Sequence, residues 1–356
     1  MSAQSNRRDF LAGASAGAAA LGTLLVPDTA RADPIPPAAF GPGPRSGMPW
    51  HSGASLASVK QIAAYRGRLC DTLTLWCPNA TWDAIVSFKE GWSSAKSRPE
   101  RISVGMAMLP KTYSALTTPG VWARAASGEF DPWYDLWAKK LAAEMKVRAT
   151  KGLNADVIVR VGWEHTDNRS WYSAPDPVNY AATFRKIVDM IRYYNEQNLG
   201  LTTVAIDWCN LKKGSQSGSV LDHYPGGSHV DIISADYYDC WPALNDDIIW
   251  NRQYLRTYRS GPWGIGAWLA FAISEGKQFA CPEWGISVGN SGGKSIDNPY
   301  YIRKMFEFFS ANAQYIAYEN YFNQKAKHQI APPDINPAAA AEYLKWWGVP
   351  PVVPPV

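Results

Sequence analysis

The apolar positions of this chain fall into short β-branched runs that alternate with segments of helical spacing. Val157-Ile158-Val159-Arg160-Val161 is the clearest run, of the kind a strand buried on both faces shows. The pattern predicts strands at 46–52, 68–76, 102–109, 156–163, 202–208, 230–236, 279–283 and 315–319. Helices are expected at 56–66, 82–88, 133–148, 178–195, 247–258, 299–309 and 338–347, with a long polar loop in place of a helix after the fifth strand. Strand and helix alternating through eight units predict a parallel sheet closed into a single-domain (β/α)8 TIM barrel over 46–330. Long connections after the third, fifth and seventh strands would shape its mouth. Residues 331–356 read as a short helix and a Pro-rich tail.

The amino terminus follows a different pattern. Asn6-Arg7-Arg8-Asp9-Phe10-Leu11, a weakly apolar run to Val26 and Ala30-Arg31-Ala32 together read as a twin-arginine signal peptide over 1–32. A Pro/Gly-rich leader over 33–45 follows. Periplasmic or secreted localisation is expected, with no membrane span after cleavage.

Charge changes the picture little. The 35 basic and 31 acidic residues nearly balance, and no basic stripe appears, so nucleic acid is not an expected partner. The 17 tryptophans are the compositional outlier. Many must pack the core, but those at strand ends suit a sugar cleft, because pyranose C–H faces stack on indole. The five cysteines, Cys70, Cys77, Cys209, Cys240 and Cys281, show no metal-ligand spacing. Cys209 and Cys240 follow neighbouring strands at one end of the expected barrel, which makes them the favoured disulfide pair.

The candidate chemistry sits at two strand ends. The fourth strand delivers Glu164 beside Trp163, and the seventh delivers Glu283 beside Trp284. Catalytic residues of such barrels occupy the C-terminal strand ends, and two facing carboxyls about 5–5.5 Å apart are what retaining glycoside hydrolysis uses. His165 with Glu164 and Asp167 forms a three-residue metal candidate, too sparse to support a metal or cofactor. Trp284 and Trp241 fit packing or platform equally, and His51 fits either the cleft or the core.

Four local matches make the chain resemble glycoside hydrolase family 26, a β-mannanase-type family of (β/α)8 barrels. Arg160-Val161-Gly162-Trp163-Glu164 with Trp171-Tyr172 resembles its R-x-G-H-E motif and downstream aromatic pair. Tyr224-Pro225-Gly226-Gly227 with Val230-Asp231 resembles its Y-P-G-D…V-D motif, and Asp236-Tyr237-Tyr238 resembles its sixth-strand D-x-Y. Pro282-Glu283-Trp284-Gly285 after Gly276-Lys277 resembles the nucleophile segment. The resemblance implies Glu164 as acid/base, Glu283 as nucleophile, Arg160 beneath them, Tyr238 bonded to the nucleophile and Trp171 as a sugar platform. Trp163, His165, Trp208, Asp236 and Trp284 complete the candidates for substrate-binding or supporting roles. Three departures stand out: Trp163 replaces the family histidine, two extra residues separate Glu164 from Trp171, and Gly227 replaces an aspartate. The expected activity is that of a monomeric, retaining endo-β-glycanase on a polysaccharide such as β-mannan or β-1,3/1,4-glucan, without cofactor. A non-catalytic polysaccharide-binding barrel and a glycosidase for a bacterial exopolysaccharide are the alternatives.

Overall fold

The computed structural model describes residues 44–349, apart from Glu90, Leu116, 168–171 and 213–217. Its centre is a closed barrel of eight parallel strands. They are β1 (His51–Ser55), β2 (Thr72–Trp76), β3 (Arg101–Met106), β4 (Asp156–Val161), β5 (Thr203–Leu211), β6 (Ile232–Tyr238), β7 (Gln278–Gly285) and β8 (Ile316–Tyr321). Pairing is between sequence neighbours throughout, and His51 to Ala54 of β1 close the ring against Tyr318 to Tyr321 of β8. The signal peptide, the leader to residue 43, Trp171 and the tail from 350 lie outside the described residues.

The helices are α1 (Val59–Arg66), α2 (Trp82–Ile85), α3 (Gly91–Ala95), α4 (Val121–Ser127), α5 (Asp131–Thr150), α6 (Pro177–Glu196), α7 (Asp247–Tyr254), α8 (Ile265–Ser274), α9 (Pro299–Ala311) and α10 (Pro337–Trp347). Local chemistry fixes several starts. Asp176 accepts from the Asn179 N–H ahead of Pro177, and Asn298 accepts from the Tyr301 N–H ahead of Pro299. Among the described residues no α-helix follows β5; two 3₁₀ turns at Val220–His223 and Gly227–His229 precede β6.

Side chains divide between two compartments. Ile158, Ala205, Ile232, Ala280, Ala317 and Tyr318 fill a layer inside the barrel. Above it, Tyr318 Oη donates to Asp207 Oδ2 at 2.6 Å, and Ser234 bonds the other oxygen of the same carboxyl. Alternate residues point outward into the larger core beneath the helices. There Glu319 accepts from three indoles: Trp50 Nε1 at 3.4 Å, Trp347 Nε1 at 3.0 Å and Trp284 Nε1 at 2.5 Å. That carboxyl ties β7, β8 and the residue just before β1 to α10, so the C-terminal helix packs against the barrel wall.

Two expectations about side chains change here. The Cys209–Cys240 disulfide does not form, and all five cysteines are free thiols. Cys209 pairs in register with Ser234 in mid-β6, whereas Cys240 lies beyond the end of that strand at Tyr238. Cys209 lies inside β5, where Arg160 Nη2 reaches its sulfur at 3.3 Å. His51 begins β1 instead of ending it, so it stands at the N-terminal mouth, opposite the candidate site. Burial, with Arg101 nearby, lowers its pKa to about 4.

Candidate active site

The site grows from the ends of β4, β6 and β7. Arg160 points inward from β4 and is fully buried. Its Nη2 donates to Glu283 Oε1 at 2.7 Å and to Asp236 Oδ2 at 2.8 Å. Burial opposes the guanidinium charge, and Asp236, Cys209 and Glu283 more than offset it, so its pKa is raised. β4 stops at Val161 because Gly162 turns left-handed, with φ 59°. A side chain there would meet Met108 Sδ at 2.4 Å, so only glycine fits. Glu164 is left-handed as well, at φ 51°, a conformation of order 1–3 kcal/mol in cost that concentrates at functional sites. Its N–H bonds Cys209 O at 3.1 Å, fixing the turn against β5. Strand parity therefore does not place Glu164 above Arg160; this turn does.

Glu283 reaches the interior by a different device. Between β6 and β7 the register steps from Ser234–Ala280 to Tyr237–Trp284, three residues against four. Against β8 it steps from Glu319–Cys281 to Tyr321–Trp284, two against three. One extra residue therefore bulges β7 at Pro282-Glu283, where proline has no N–H to contribute. Ala280 faces inward, so strict alternation would point Trp284 inward and Glu283 outward. The bulge reverses both. Glu283 then receives Trp76 Nε1–H at 3.2 Å on Oε1 and Tyr238 Oη–H at 3.0 Å on Oε2, in addition to Arg160.

Glu164 has fewer partners. Tyr172 Oη donates to its Oε2 at 2.8 Å. Burial first and the negative charge of Glu283 second raise its pKa to about 8, while Tyr172 and Arg160 oppose the rise. Asp236, buried between Arg160 and both glutamates, is also pushed well above the carboxylate range, burial being the largest cause.

An aromatic wall surrounds the pair. The rings of Tyr238 and His328 lie 5.0 Å apart, and Phe322 packs edge-on to Tyr238 at 5.8 Å and to Trp76 at 5.9 Å. On the Glu164 side, Trp163 packs against Tyr172 at 5.9 Å. Trp163 and Trp76 both lie over Gly105, whose missing Cβ would sit 3.1 Å and 2.9 Å from them.

The structure thus brings Glu164, Glu283, Arg160, Asp236, Tyr238 and Trp163 together. It takes three other candidates away. Trp208 is fully buried on the outer face of β5, among His165, Tyr224 and Trp268, because its neighbours Asp207 and Cys209 occupy the inward positions. Trp284 is turned outward by the bulge and packs on Trp347 and Tyr321. His165 stacks on Tyr180 at 4.3 Å and bonds its hydroxyl through Nδ1, in the core behind β4. Trp171 falls outside the described residues. The sequence reading missed Trp76, Phe322 and His328 and gave Tyr172 no role. Trp76 ends its strand and so met the criterion that selected Trp163.

No known family's sequence profile matches the chain, and no curated protein matches it. Solved structures do. The Bacillus subtilis mannanase BCman superposes with a TM-score of 0.55 at 16% identity, over 84% of this chain and 86% of that one. GH26C from a Muricauda species gives 0.57 at 15%, over 84% and 86%. A GH26 β-mannanase from Bacteroides ovatus gives 0.54 at 16%, over 80% and 81%. The likeness is one of fold: the chain has a (β/α)8 barrel of the kind seen in these GH26 structures.

Proposed function

We propose that this protein is a retaining glycoside hydrolase that cleaves a β-linked polysaccharide. The observation that carries the reading is the unequal treatment of two carboxyls at one barrel mouth. Glu283 is held by three donors, while Glu164 is raised to about 8. One carboxyl is positioned as an acceptor and the other keeps a proton at neutral pH, which is the division of labour such hydrolysis needs.

In the first step, a Glu283 oxygen forms a bond to the anomeric carbon as the glycosidic C–O bond breaks. Glu164 gives its proton to the departing oxygen. In the second step, Glu164 takes a proton from water, whose oxygen displaces Glu283 from the anomeric carbon. Tyr238 and Trp76 keep the Glu283 oxygens aimed, and Arg160 balances negative charge beneath them. Trp163, packed over Gly105, occupies the position where the resembled family has a histidine near the sugar 2-position, so that contact differs from the mannan-typical one. β-Mannan, β-1,3/1,4-glucan and a bacterial exopolysaccharide remain the substrate classes. The twin-arginine signal peptide over 1–32 would export the folded enzyme, and the described residues contain no helix long and apolar enough to cross a membrane.

A reducing-end assay of the mature protein against a panel of β-glycans tests the reading. Sugar release that disappears in Glu283→Ala supports it. Binding to a glycan without release from any would assign the barrel to a polysaccharide-binding protein instead.

A further inference from the structure

Trp241 is the exposed tryptophan among the described residues, with 58% of its surface accessible. It sits three residues beyond Tyr238, whose hydroxyl bonds Glu283, so its Cα lies within about 11 Å of Tyr238 along the chain. No aromatic ring packs on it among the described residues. An indole left open in this way forgoes a large apolar burial.

The loop that presents it is tightly held. The buried Lys212 ammonium donates to Tyr238 O at 3.2 Å, Cys240 O at 3.0 Å and Pro242 O at 3.3 Å, and lies 4.8 Å from the Tyr237 ring centre. The carbonyls on both sides of Trp241 are thus fixed by one cation. The Trp241 N–H itself donates to Ser291 Oγ at 2.7 Å. Asp239 braces the next turn, accepting from Leu244 N–H at 2.6 Å and from Asn298 Nδ2 at 2.8 Å. Trp241 is also left-handed, at φ 52°. A strained residue kept in place by so many bonds is over-determined by its surroundings, the setting in which strain accompanies function. No aromatic ring or cation among the described residues packs on this indole to account for its placement.

We propose that Trp241 is a sugar-stacking platform at the rim of the mouth, binding a pyranose unit of the β-glycan some way along the chain from the bond that breaks. The proposal rests on the glycosidase reading of the cleft and deepens it: a fixed aromatic subsite away from Glu164 and Glu283 rewards a long glycan over a short one. Lys212 positions the platform through the loop carbonyls and does not touch the sugar. Ser291 joins the β7–α9 loop to the same subsite.

Affinity electrophoresis in native gels cast with galactomannan, barley β-glucan or xanthan separates binding from hydrolysis. The Glu283→Gln protein is compared with the same protein carrying Trp241→Ala or Trp241→Phe. The expected result is retardation of Glu283→Gln in at least one gel, about 10-fold weaker with Trp241→Ala and largely restored with Trp241→Phe. Thermal midpoints of the three proteins should coincide, since the side chain is exposed. Equal retardation of all three, or retardation of none in any gel, overturns the platform. Retardation that depends on Trp241 while the unsubstituted protein releases no sugar overturns the hydrolase reading and leaves the platform standing.

Discussion

Replacing Glu164 with glutamine should stabilise the protein, and the gain should grow with pH. The raised pKa means that the folded protein holds the Glu164 proton more tightly than the unfolded chain does. Between the ordinary value of 4.5 and the folded value of about 8, folding must therefore take up a proton. The contribution of Glu164 to stability is complete below pH 4.5 and is lost as pH rises towards 8. Glutamine carries no charge at any pH and can still accept from Tyr172. A difference of 3.5 units (8 minus 4.5) corresponds to about 5 kcal/mol at 1.36 kcal/mol per unit. The carboxyl is only partly shielded from water, which reduces that figure to about 2 kcal/mol. The unfolding entropy of a domain near 300 residues is about 0.6 kcal/mol per degree, so the midpoint should rise by about 3 °C. Thermal unfolding of both proteins by circular dichroism at pH 5 and pH 8.5 measures this directly. A gain near zero at pH 5 and about 3 °C at pH 8.5 is expected. A gain that is the same at both pH values, or a loss at pH 8.5, would refute the assignment of Glu164 as the protonated carboxyl.

Other consequences follow from individual contacts. Tyr172→Phe removes the hydrogen bond that favours ionised Glu164, so the alkaline limb of the kcat/KM profile on a responsive glycan should move up by about one unit; a downward move contradicts the bond's role. Gly105→Ala places a Cβ 2.9 Å from Trp76 Cδ1 and 3.1 Å from Trp163 Cε3. It should lower kcat/KM by about 10-fold or more as Trp76 leaves Glu283, with circular dichroism showing the fold retained. Glu319→Ala leaves three buried indole N–H groups unpaired, at a cost of order 4 kcal/mol in urea unfolding. Glu319→Gln should cost less, because one oxygen still accepts.

Much of the architecture was legible because each β/α unit carries its own signal. Val157 to Val161, the helical spacing over 178–195 and 299–309, and Glu164 at a strand end can be read without knowing what they pack against. Other features depend on partners far along the chain. Helix α8, IGAWLAFAIS, is apolar nearly all round, since it packs against β6 and β7, and so shows no clean helical period. The inward turn of Glu283 and the outward turn of Trp284 both follow from one unpaired residue in β7, visible only in the register with β6 and β8. The same limit applies to Trp208, which counting strand ends placed at the mouth. β5 runs on to Leu211, so Trp208 falls mid-strand and its parity sends it outward. Trp76 was within reach, since it ends β2 as Trp163 follows β4. Its bond to Glu283, 207 residues away, was not.

The central claim is that Glu164 and Glu283 share one glycosidic bond as acid/base and nucleophile. It is tested most directly by chemical rescue on the dinitrophenyl β-glycoside of whichever sugar the reducing-end panel identifies. Glu164→Ala should still form the glycosyl-enzyme, stall, and be restored by azide with the β-glycosyl azide as product. Glu283→Ala should lose the first step, with azide giving the α-azide or no product. The opposite assignment of azides would reverse the two roles, and full activity in both variants would contradict the account.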